Sequence, residues 1–334
     1  MFTEKQLRSL IRIYNRSFAW RWLRVYACLL LAGGCSLRPV AAGTIRHDRA
    51  DSNYTSLAAS YPAVGALTWP GYICSATLIA ENWILTAGHC LDADGLSASD
   101  WSFDLTDSGG GTHIGAERFI YSGWDGDLED GTDIALLRLA TNETTVAPAA
   151  INTNTSEVGR TAAHAGYGVT GTGLTGYVDP SGTKRAGNNV VDLDGSSIPG
   201  YSDKILFEDF DSGSEGDSWS GSATQLDLEY LIAPGDSGGG MFMNFGSGDV
   251  LTGVHSFIAA VDSNLDADYG DIAGSTRVSS YASWISTTTS GAAGGPVAPE
   301  LASWMIWIVL ALGLLWTSRS RVSTNVSGRI PSPD

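Results

Sequence analysis

Three side chains in this 334-residue sequence have the types and the order needed for nucleophilic catalysis. His89 stands in ILTAGHC, Asp133 in DGTDIALLRL and Ser237 in IAPGDSGGGMF. A serine hydroxyl is a weak nucleophile until a base takes its proton, and histidine suits that role because its pKa lies near neutral pH. A carboxylate can fix the tautomer of the histidine and stabilise its charged form. The set therefore predicts a nucleophile, a general base and the acid that orients the base.

The glycines around Ser237 fit the same chemistry. The backbone N–H groups of Gly235 and Ser237 must both point at the oxyanion that forms in acyl transfer, and side chains would obstruct such a turn. We therefore expect these N–H groups to form an oxyanion hole. A flexible glycine linker is the alternative interpretation, and it is less consistent with the presence of His89 and Asp133.

The rest of the chain predicts a β-rich domain that would position these residues. Between residues 61 and 278, short apolar or alternating runs are separated by Gly, Asn, Asp and Ser. Such spacing, with 41 glycines in all, is typical of an all-β barrel or sandwich. Ser280–Thr288 has the pattern of a closing helix, and the polar residues 150–160 could link two halves.

The stretches around the three residues, with YICSATLI upstream, resemble the trypsin/chymotrypsin-like serine proteases over residues 60–289. GYG at 166–168, SF at 256–257 and YASWI at 281–285 are similar to further segments of that family. The resemblance implies an all-β fold of two six-stranded antiparallel β-barrels with a short C-terminal helix. It also implies a serine endopeptidase with a polypeptide substrate, a triad between the barrels, and no cofactor or metal.

The expected substrate pocket is apolar. Leu231, followed by Ile232, stands where trypsins carry an acidic residue, so a buried Lys or Arg side chain would find no partner there. The resemblance assigns five further residues to the pocket: His255, Ser256, Phe257, Ile258 and Ala273. Together they predict a narrowed pocket for a small or aliphatic P1 residue. Alternatively, His255 could bind a P1 glutamate, because glutamate-specific members carry a histidine at the matching position.

The residue before the serine, Asp236, is the expected partner of an activation salt bridge. In the family a freed N-terminal amine inserts beside this carboxylate. Ile45 is the candidate N-terminus, because it closely follows the predicted signal cleavage site. We therefore expect signal removal, with or without trimming, to release the activating amine.

The N-terminus has the features of an export signal. A basic stretch, an apolar run at residues 25–32 and small residues up to Gly43 follow one another in the order of a secretory signal. A retained signal anchor and a lipoprotein attached at Cys35 are the alternatives. The resulting boundaries are a signal at 1–43, a protease domain at 44–289, a linker at 290–300, a membrane helix at 301–316 and a basic tail at 317–334.

The C-terminal segment predicts a membrane tether. Residues 301–316 carry no charge and would span about 24 Å as a helix, and the arginines that follow favour a cytoplasmic C-terminus. The order Pro-Glu, apolar helix, arginines resembles a PEP-CTERM sorting signal, which implies processing by an exosortase-like enzyme. A plain membrane anchor is the alternative. We expect an exported protein at the cell envelope or outside the cell.

Charge and cysteine usage agree with export. Residues 44–300 carry 34 acidic and 9 basic side chains, a surface that repels nucleic acid and excludes it as a partner. Cys74 and Cys90 remain after the signal and would form a disulfide in an oxidising compartment, with two buried free thiols as the alternative. The acidic runs at 125–133 and 262–271 lack EF-hand spacing and are interpreted as solvated loops rather than Ca²⁺ sites.

Two other functions share these residues. A non-catalytic surface binding module on the same fold is disfavoured by the intact set of His89, Asp133 and Ser237. An esterase without a protein substrate would use the same triad.

Overall fold

The computed structural model describes residues 42–293, apart from the side chain of Asp179. The strands of its first part are β1 (Gly43–Ile45), β2 (Val64–Trp69), β3 (Tyr72–Ala80), β4 (Trp83–Thr86), β5 (Ser102–Asp104), β6 (Thr112–Ile120) and β7 (Ala135–Leu139). The strands of its second part are β8 (Thr161–Gly166), β9 (Thr170–Thr172), β10 (Gly176–Asp179), β11 (Arg185–Val190), β12 (Leu193–Asp194), β13 (Ile205–Asp209), β14 (Tyr230–Leu231), β15 (Gly240–Asn244), β16 (Asp249–Ala259) and β17 (Ile272–Arg277). The α-helices are α1 (Asp51–Ala58), α2 (Gly88–Leu91) and α3 (Ala282–Thr288), and single 3-10 turns lie at Ala98–Asp100, Thr106–Ser108, Gly195–Ser197 and Val278–Tyr281.

Strands β2 to β7 form a closed antiparallel barrel in the order β2-β3-β4-β7-β6-β5. The barrel closes where β5 pairs back onto β2, with Leu67 opposite Phe103, and both side chains are fully buried. Closure leaves no sheet edge unpaired. Because β4 and β7 are antiparallel neighbours, with Thr86 opposite Ala135, the end of β4 and the start of β7 lie at the same rim of the barrel.

The second half does not form a closed six-stranded barrel, so that part of the prediction is wrong. A 7-stranded sheet has the order β11-β8-β15-β16-β17-β13-β12, and a 4-stranded sheet has the order β10-β9-β1-β14. β12 and β14 are only 2 residues long, and residues 210–228 form turns and irregular structure. Strands this short cannot carry the hydrogen-bond ladder to the opposite edge, so the second half remains a half-barrel.

The predicted closing helix is confirmed. The 3-10 turn Val278–Tyr281 leads directly into α3. Tyr281 and Ile285 are buried against the core of the first barrel, and the Tyr281 hydroxyl donates a hydrogen bond of 2.5 Å to the Gly131 carbonyl. The end of the domain thus fastens the loop that carries Asp133.

β1 begins at Gly43, at the predicted boundary between the signal and the protease domain. Ala42 and Gly43 are buried, and β1 lies between β9 and β14. A cut after residue 43 would therefore remove the first residue of this strand. The signal before residue 42, the rest of the linker, the helix at 301–316 and the tail lie outside the described residues. In residues 42–293, none of the helices is both long and apolar enough to cross a membrane.

Candidate active site

His89 lies on α2, the short helix that follows β4 at the rim of the barrel. The predicted disulfide between Cys74 on β3 and Cys90 is confirmed and fixes the backbone next to this histidine. Trp101, itself buried, donates its indole N–H to the Cys90 carbonyl at 2.8 Å. The His89 ring is thereby held at the surface of a rigid barrel, with 33% of its side chain exposed.

Asp133 meets His89 because it lies two residues before the start of β7. One carboxylate oxygen accepts the His89 backbone N–H at 2.9 Å, and the other accepts the His89 Nδ1–H at 2.8 Å. Ser256 donates its hydroxyl to that second oxygen at 2.5 Å. Asp133 is only 1% exposed, and these donors replace the water that burial removes.

The pair is electrostatically coupled. Burial alone would lower the pKa of His89, but the Asp133 charge and hydrogen bond raise it above the ordinary histidine value. Burial raises the pKa of Asp133, yet the charge and N–H of His89 and the hydroxyl of Ser256 bring it below its usual range. The geometry therefore favours an ionised carboxylate beside an imidazole that accepts a proton readily.

Ser237 lies in the turn between β14 and β15, against the residues that precede His89. Its carbonyl accepts the Ser75 N–H at 2.8 Å and lies 3.6 Å from the Cys90 sulfur. Gly238 packs so closely that an added Cβ would lie 3.1 Å from the Ala87 nitrogen. The Ser237 backbone in the second half of the domain thus lies against Ser75 and Cys90 of the first half, and Cys90 is next to His89 in the chain.

Ser75 is a site residue that the sequence analysis missed. Besides the bond from its backbone to Ser237, its hydroxyl donates to the Gly235 carbonyl at 3.0 Å and accepts the Tyr167 N–H at 2.9 Å. It therefore joins β3 of the first barrel to two segments of the second half. Its place directly after Cys74 is the signal that could have indicated this role.

The two predicted oxyanion donors belong to peptide units whose carbonyl ends are also held. Gly235 adopts φ +98°, a left-handed conformation that favours glycine. The carbonyl of Pro234, in the same peptide unit as the Gly235 N–H, accepts the Val169 N–H at 2.8 Å. The carbonyl of Asp236, in the same unit as the Ser237 N–H, accepts the Gly239 N–H at 2.8 Å.

The Asp236 carboxylate is fully buried beside the turn. It accepts hydrogen bonds from the Gly168 N–H at 2.8 Å, the Ala233 N–H at 2.9 Å and the Tyr230 hydroxyl at 3.2 Å. Burial nevertheless raises the pKa of Asp236 to about 6. β1 passes close to this group, because a Cβ on Gly43 would overlap the Tyr230 ring.

Four of the seven predicted pocket residues lie together, and three do not. Leu231, Ile232, Ala273 and Ile258 belong to one apolar cluster. The neighbour of Ile258, Phe257, instead packs with Phe207 on the other side of the sheet, because successive side chains of a strand point to opposite faces. The Ser256 hydroxyl turns away from the pocket to Asp133, as described above.

His255 also departs from the predicted pocket role. Its side chain is fully buried, with Nε2 3.2 Å from His164 Nδ1 and Nδ1 3.3 Å from the Asp236 carbonyl. His164, given no role from the sequence, lies with its Nε2 3.1 Å from Glu208 Oε2. A lone histidine among the small apolar residues of RTAAHAGYG was the available signal for a buried polar contact.

Two groups of possible metal ligands occur within residues 42–293. In one of them the sulfurs of Cys74 and Cys90 are committed to the disulfide. The other comprises Asp266, Asp268 and Asp271, and their carboxylates lie within 4.8 Å of one another in a predicted acidic loop. Asp271 already accepts backbone N–H groups from Val261 and Ala267, at 3.1 and 3.0 Å.

Comparison with known proteins defines the family. The family model named Trypsin matches residues 52–285, and the chain belongs to this family of serine endopeptidases. Trypsin Tyr p 3.0101 of Tyrophagus putrescentiae is 25% identical over 259 residues, which cover 75% of this chain and 83% of the relative. Chymotrypsin-like elastase family member 1 of Macaca fascicularis is 25% identical over 228 residues, covering 65% and 79% of the two chains.

Solved structures show the same fold. The serine protease neuropsin from mouse brain superposes with a TM-score of 0.53 at 19% identity, over 71% of this chain and 98% of that one. An inactivated protease paralogue of the scabies mite, SMIPP-S-D1, has a TM-score of 0.50 at 16% identity, over 71% of this chain and 96% of that one. The fold is therefore shared with a protein described as inactivated, so the fold alone does not establish catalysis.

Proposed function

We propose that the enzyme hydrolyses peptide bonds with Ser237 as nucleophile, His89 as general base and Asp133 as the group that orients the base. The observation that carries the proposal is the bond of 2.8 Å between His89 Nδ1 and a carboxylate that is buried and held by further donors. With Nδ1–H committed to Asp133, the lone pair of His89 Nε2 is free to take the serine proton.

The turn supplies the second element of the mechanism. As the serine oxygen attacks, the substrate carbonyl becomes an oxyanion, which the N–H groups of Gly235 and Ser237 stabilise. The imidazolium formed on His89 is stabilised by the Asp133 charge and then protonates the leaving amine. Water then attacks the acyl group left on Ser237. His89 takes the proton of the water and returns a proton to the serine oxygen as the acid product leaves.

Labelling with a fluorophosphonate tests the nucleophile in the full-length protein. We expect the wild type to label, Ser237→Ala to remain unlabelled, and the exposed hairpin variant Ser247→Ala to label like the wild type. Unlabelled wild type with an intact circular-dichroism spectrum would favour the non-catalytic binding module. Labelling with ester hydrolysis but without peptide cleavage would favour the esterase.

The proposed specificity is for a small or aliphatic P1 residue. Leu231 and Ala273 are fully buried, Ile232 is 3% exposed, and Ile258 packs against the same apolar cluster. The P1 glutamate alternative receives no support from His255, because its buried ring has a neighbour at each nitrogen. Profiling with a peptide library decides: dominant cleavage after Lys or Arg contradicts the proposal, and dominant cleavage after Glu supports the alternative.

Activation is proposed to follow export. Ile45 pairs with Tyr230 in the sheet, but Gly43 is the residue that lies against the hydroxyl end of the Tyr230 ring, and that hydroxyl contacts the Asp236 carboxylate. Cleavage after Ala42 would therefore place a new amine close to this carboxylate, and an amine charge there would lower its pKa. Sequencing the N-terminus of active enzyme tests the idea: we expect Gly43, and a start beyond Ser60 would refute it.

The predicted membrane tether lies outside the described residues. The tether, its processing by an exosortase-like enzyme and the location at the cell envelope therefore remain proposals. Mass spectrometry of the mature protein would determine both termini. A mature chain that ends before residue 301 supports processing, and one that retains residues 301–334 supports a membrane anchor.

A further inference from the structure

Three buried ionisable side chains form a row that ends at the nucleophile turn. Glu208 comes from β13, His164 from β8 and His255 from β16, and each is 0% exposed. The row runs from Glu208 Oε2 to His164 Nε2 over 3.1 Å, from His164 Nδ1 to His255 Nε2 over 3.2 Å, and from His255 Nδ1 to the Asp236 carbonyl over 3.3 Å. Three strands of the sheet therefore bring these side chains into one row, in which the Glu208–His164 contact is close but lacks hydrogen-bond alignment.

The two rings meet edge to edge. Their planes differ by 22° and their centroids are 5.3 Å apart, although the facing nitrogens are only 3.2 Å apart. Each nitrogen lies one ring radius from its own centroid, so at this centroid distance the two nitrogens could hardly lie closer together. Both nitrogens therefore lie near the line that joins the two centroids. The arrangement is therefore an in-plane N–H···N hydrogen bond, in which one ring donates and the other accepts.

The surroundings of Glu208 and of the two rings favour their neutral forms. Neither of its oxygens has an aligned hydrogen-bond partner within the described structure, and burial together with the neighbouring Asp209 charge raises its pKa well above the ordinary value. Burial also lowers the pKa of His164 to about 3 and that of His255 well below its ordinary value. An uncharged row costs least in such an environment.

Only one assignment of protons satisfies an uncharged row. Because the Asp236 carbonyl can only accept, a neutral His255 donates to it from Nδ1 and accepts at Nε2 from His164 Nδ1–H. The lone pair of His164 Nε2 then lies on the side of the protonated Glu208 carboxyl, 3.1 Å away. If His164 instead carried its proton on Nε2, facing Glu208, its Nδ1 would accept from His255 Nε2–H, and both rings would be in the opposite tautomer. The lone pair of a neutral His255 Nδ1 would then face the Asp236 carbonyl oxygen.

The last bond acts on the oxyanion hole. The Asp236 carbonyl and the Ser237 N–H belong to one planar trans peptide unit, so they point in opposite directions. A donor on the carbonyl resists rotation of the unit and polarises its N–H. We propose that Glu208, His164 and His255 are positioning residues, which hold the Nδ1–H tautomer of His255 and thereby aim the Ser237 N–H at the oxyanion.

The backbone around His255 supports the assignment. The His255 carbonyl accepts the Gly238 N–H at 2.8 Å, and the His255 N–H donates to the Gly239 carbonyl at 3.0 Å. Gly239 leaves room for the ring, because a Cβ there would lie 2.8 Å from His255 Nδ1. The side chain therefore adds a further bond to a turn that its own backbone already holds.

Ring tautomers can be measured without reference to activity. The inference rests on the proposed function, but its first test uses ¹⁵N-histidine-labelled full-length Ser237→Ala, whose 5 histidines give a simple long-range ¹H–¹⁵N spectrum. We expect His164 and His255 to be neutral and protonated at Nδ1, with assignments from His164→Gln and His255→Asn. A His255 protonated at Nε2 alone, or an imidazolium, would overturn the proposal.

Kinetics test the consequence for catalysis. We expect His255→Leu to lower kcat about 5- to 20-fold with KM nearly unchanged, and His255→Asn, whose amide can donate to the same carbonyl, to recover most of kcat. Equal losses in the two variants at equal melting temperature would show that the donor has no role.

A second matched pair of variants tests Glu208, at the far end of the row. Glu208→Gln keeps a neutral donor toward His164 and is expected to stay within about 2-fold of the wild-type kcat, whereas Glu208→Leu removes it and is expected to lose more. A large loss in Glu208→Gln would mean that the carboxylate charge is needed, which contradicts the uncharged row. If the wild type fails to react with the fluorophosphonate, the proposed function fails, while the tautomers still decide the structural part.

Discussion

The substitution Gly235→Ala separates the shape of the oxyanion turn from the stability of the fold. Residue 235 has φ +98°, a region in which a non-glycine residue costs on the order of 1–2 kcal/mol. The added Cβ would also lie 2.8 Å from the Gly168 Cα. Backbone atoms cannot turn away as a side chain can, so the peptide unit that carries the Gly235 N–H must rotate.

The expected effect is mainly on kcat. Misplacing one oxyanion donor costs about 3 kcal/mol of transition-state stabilisation, which corresponds to about 10²-fold in rate. Substrate binding in the ground state uses the pocket more than this N–H, so KM should change little. We expect Gly235→Ala to lose about 10²-fold in kcat and to unfold at a slightly lower temperature.

Gly246→Ala is the matched control. Gly246 lies in the exposed hairpin between β15 and β16 at φ +106°, and an added Cβ would have no atom within 4 Å. It carries the same kind of backbone strain without a clash, so it should lower the melting temperature while leaving kcat unchanged. A folded Gly235→Ala enzyme with kcat within a few-fold of the wild type would refute the assignment of the Gly235 N–H to the oxyanion hole.

Further predictions concern the disulfide, the base and the buried acids. Replacing Cys74 and Cys90, which are 16 positions apart, should cost about 3 kcal/mol and lower the melting temperature by about 6–12 °C. Asp133→Asn should lower kcat by about 10⁴-fold. In the wild type, kcat/KM should fall when His89 becomes protonated, and the midpoint of this fall should lie above pH 6.5, because the pKa of His89 is raised. Burial raises the pKa of Glu229 to about 9, so its contribution to stability is lost as pH rises from about 4.5 to 9, and Glu229→Gln should flatten that decline.

The predictions for the disulfide, for the acid limb of kcat/KM and for the buried acids each have a clear contrary result. An unchanged melting temperature for the double cysteine variant would mean that the bridge does not constrain the unfolded chain. An acid limb of kcat/KM centred below pH 6.5 would contradict the raised pKa of His89. A wild type that is more stable at pH 9 than at pH 5 would show that the buried carboxyls, Glu229 among them, are better solvated than their surroundings indicate.

The signals for the proposed catalytic residues are local. The sequence around Ser237 contains both the proposed nucleophile and the glycine that its turn needs, and the adjacency of His89 and Cys90 links the proposed base to the disulfide. Burial of Asp133 could not be predicted in the same way. It depends on a hydroxyl from Ser256, 123 positions away along the chain, which only the folded topology brings within reach.

The same reason explains what the sequence did not reveal. His164, Glu208 and His255 come from three strands, and the pairing of those strands is not encoded in any short stretch. The open second half is a further example, because closure depends on how far the short strands β12 and β14 extend their ladders. The apolar pocket was partly predictable, since Leu231 and Ile258 are apolar wherever they point, whereas the direction of Phe257 required the strand register.

Ser75 has a consequence for how the enzyme survives its own activity. Its backbone and hydroxyl join the first barrel to the carbonyls of Ser237 and Gly235 in the second half. A molecule whose halves separate therefore loses the geometry of its oxyanion turn at the same moment. In a concentrated solution, a thermally opened molecule would be cleaved by intact copies but would not cleave them. Self-digestion would therefore require intact enzyme and would slow as the intact enzyme is lost.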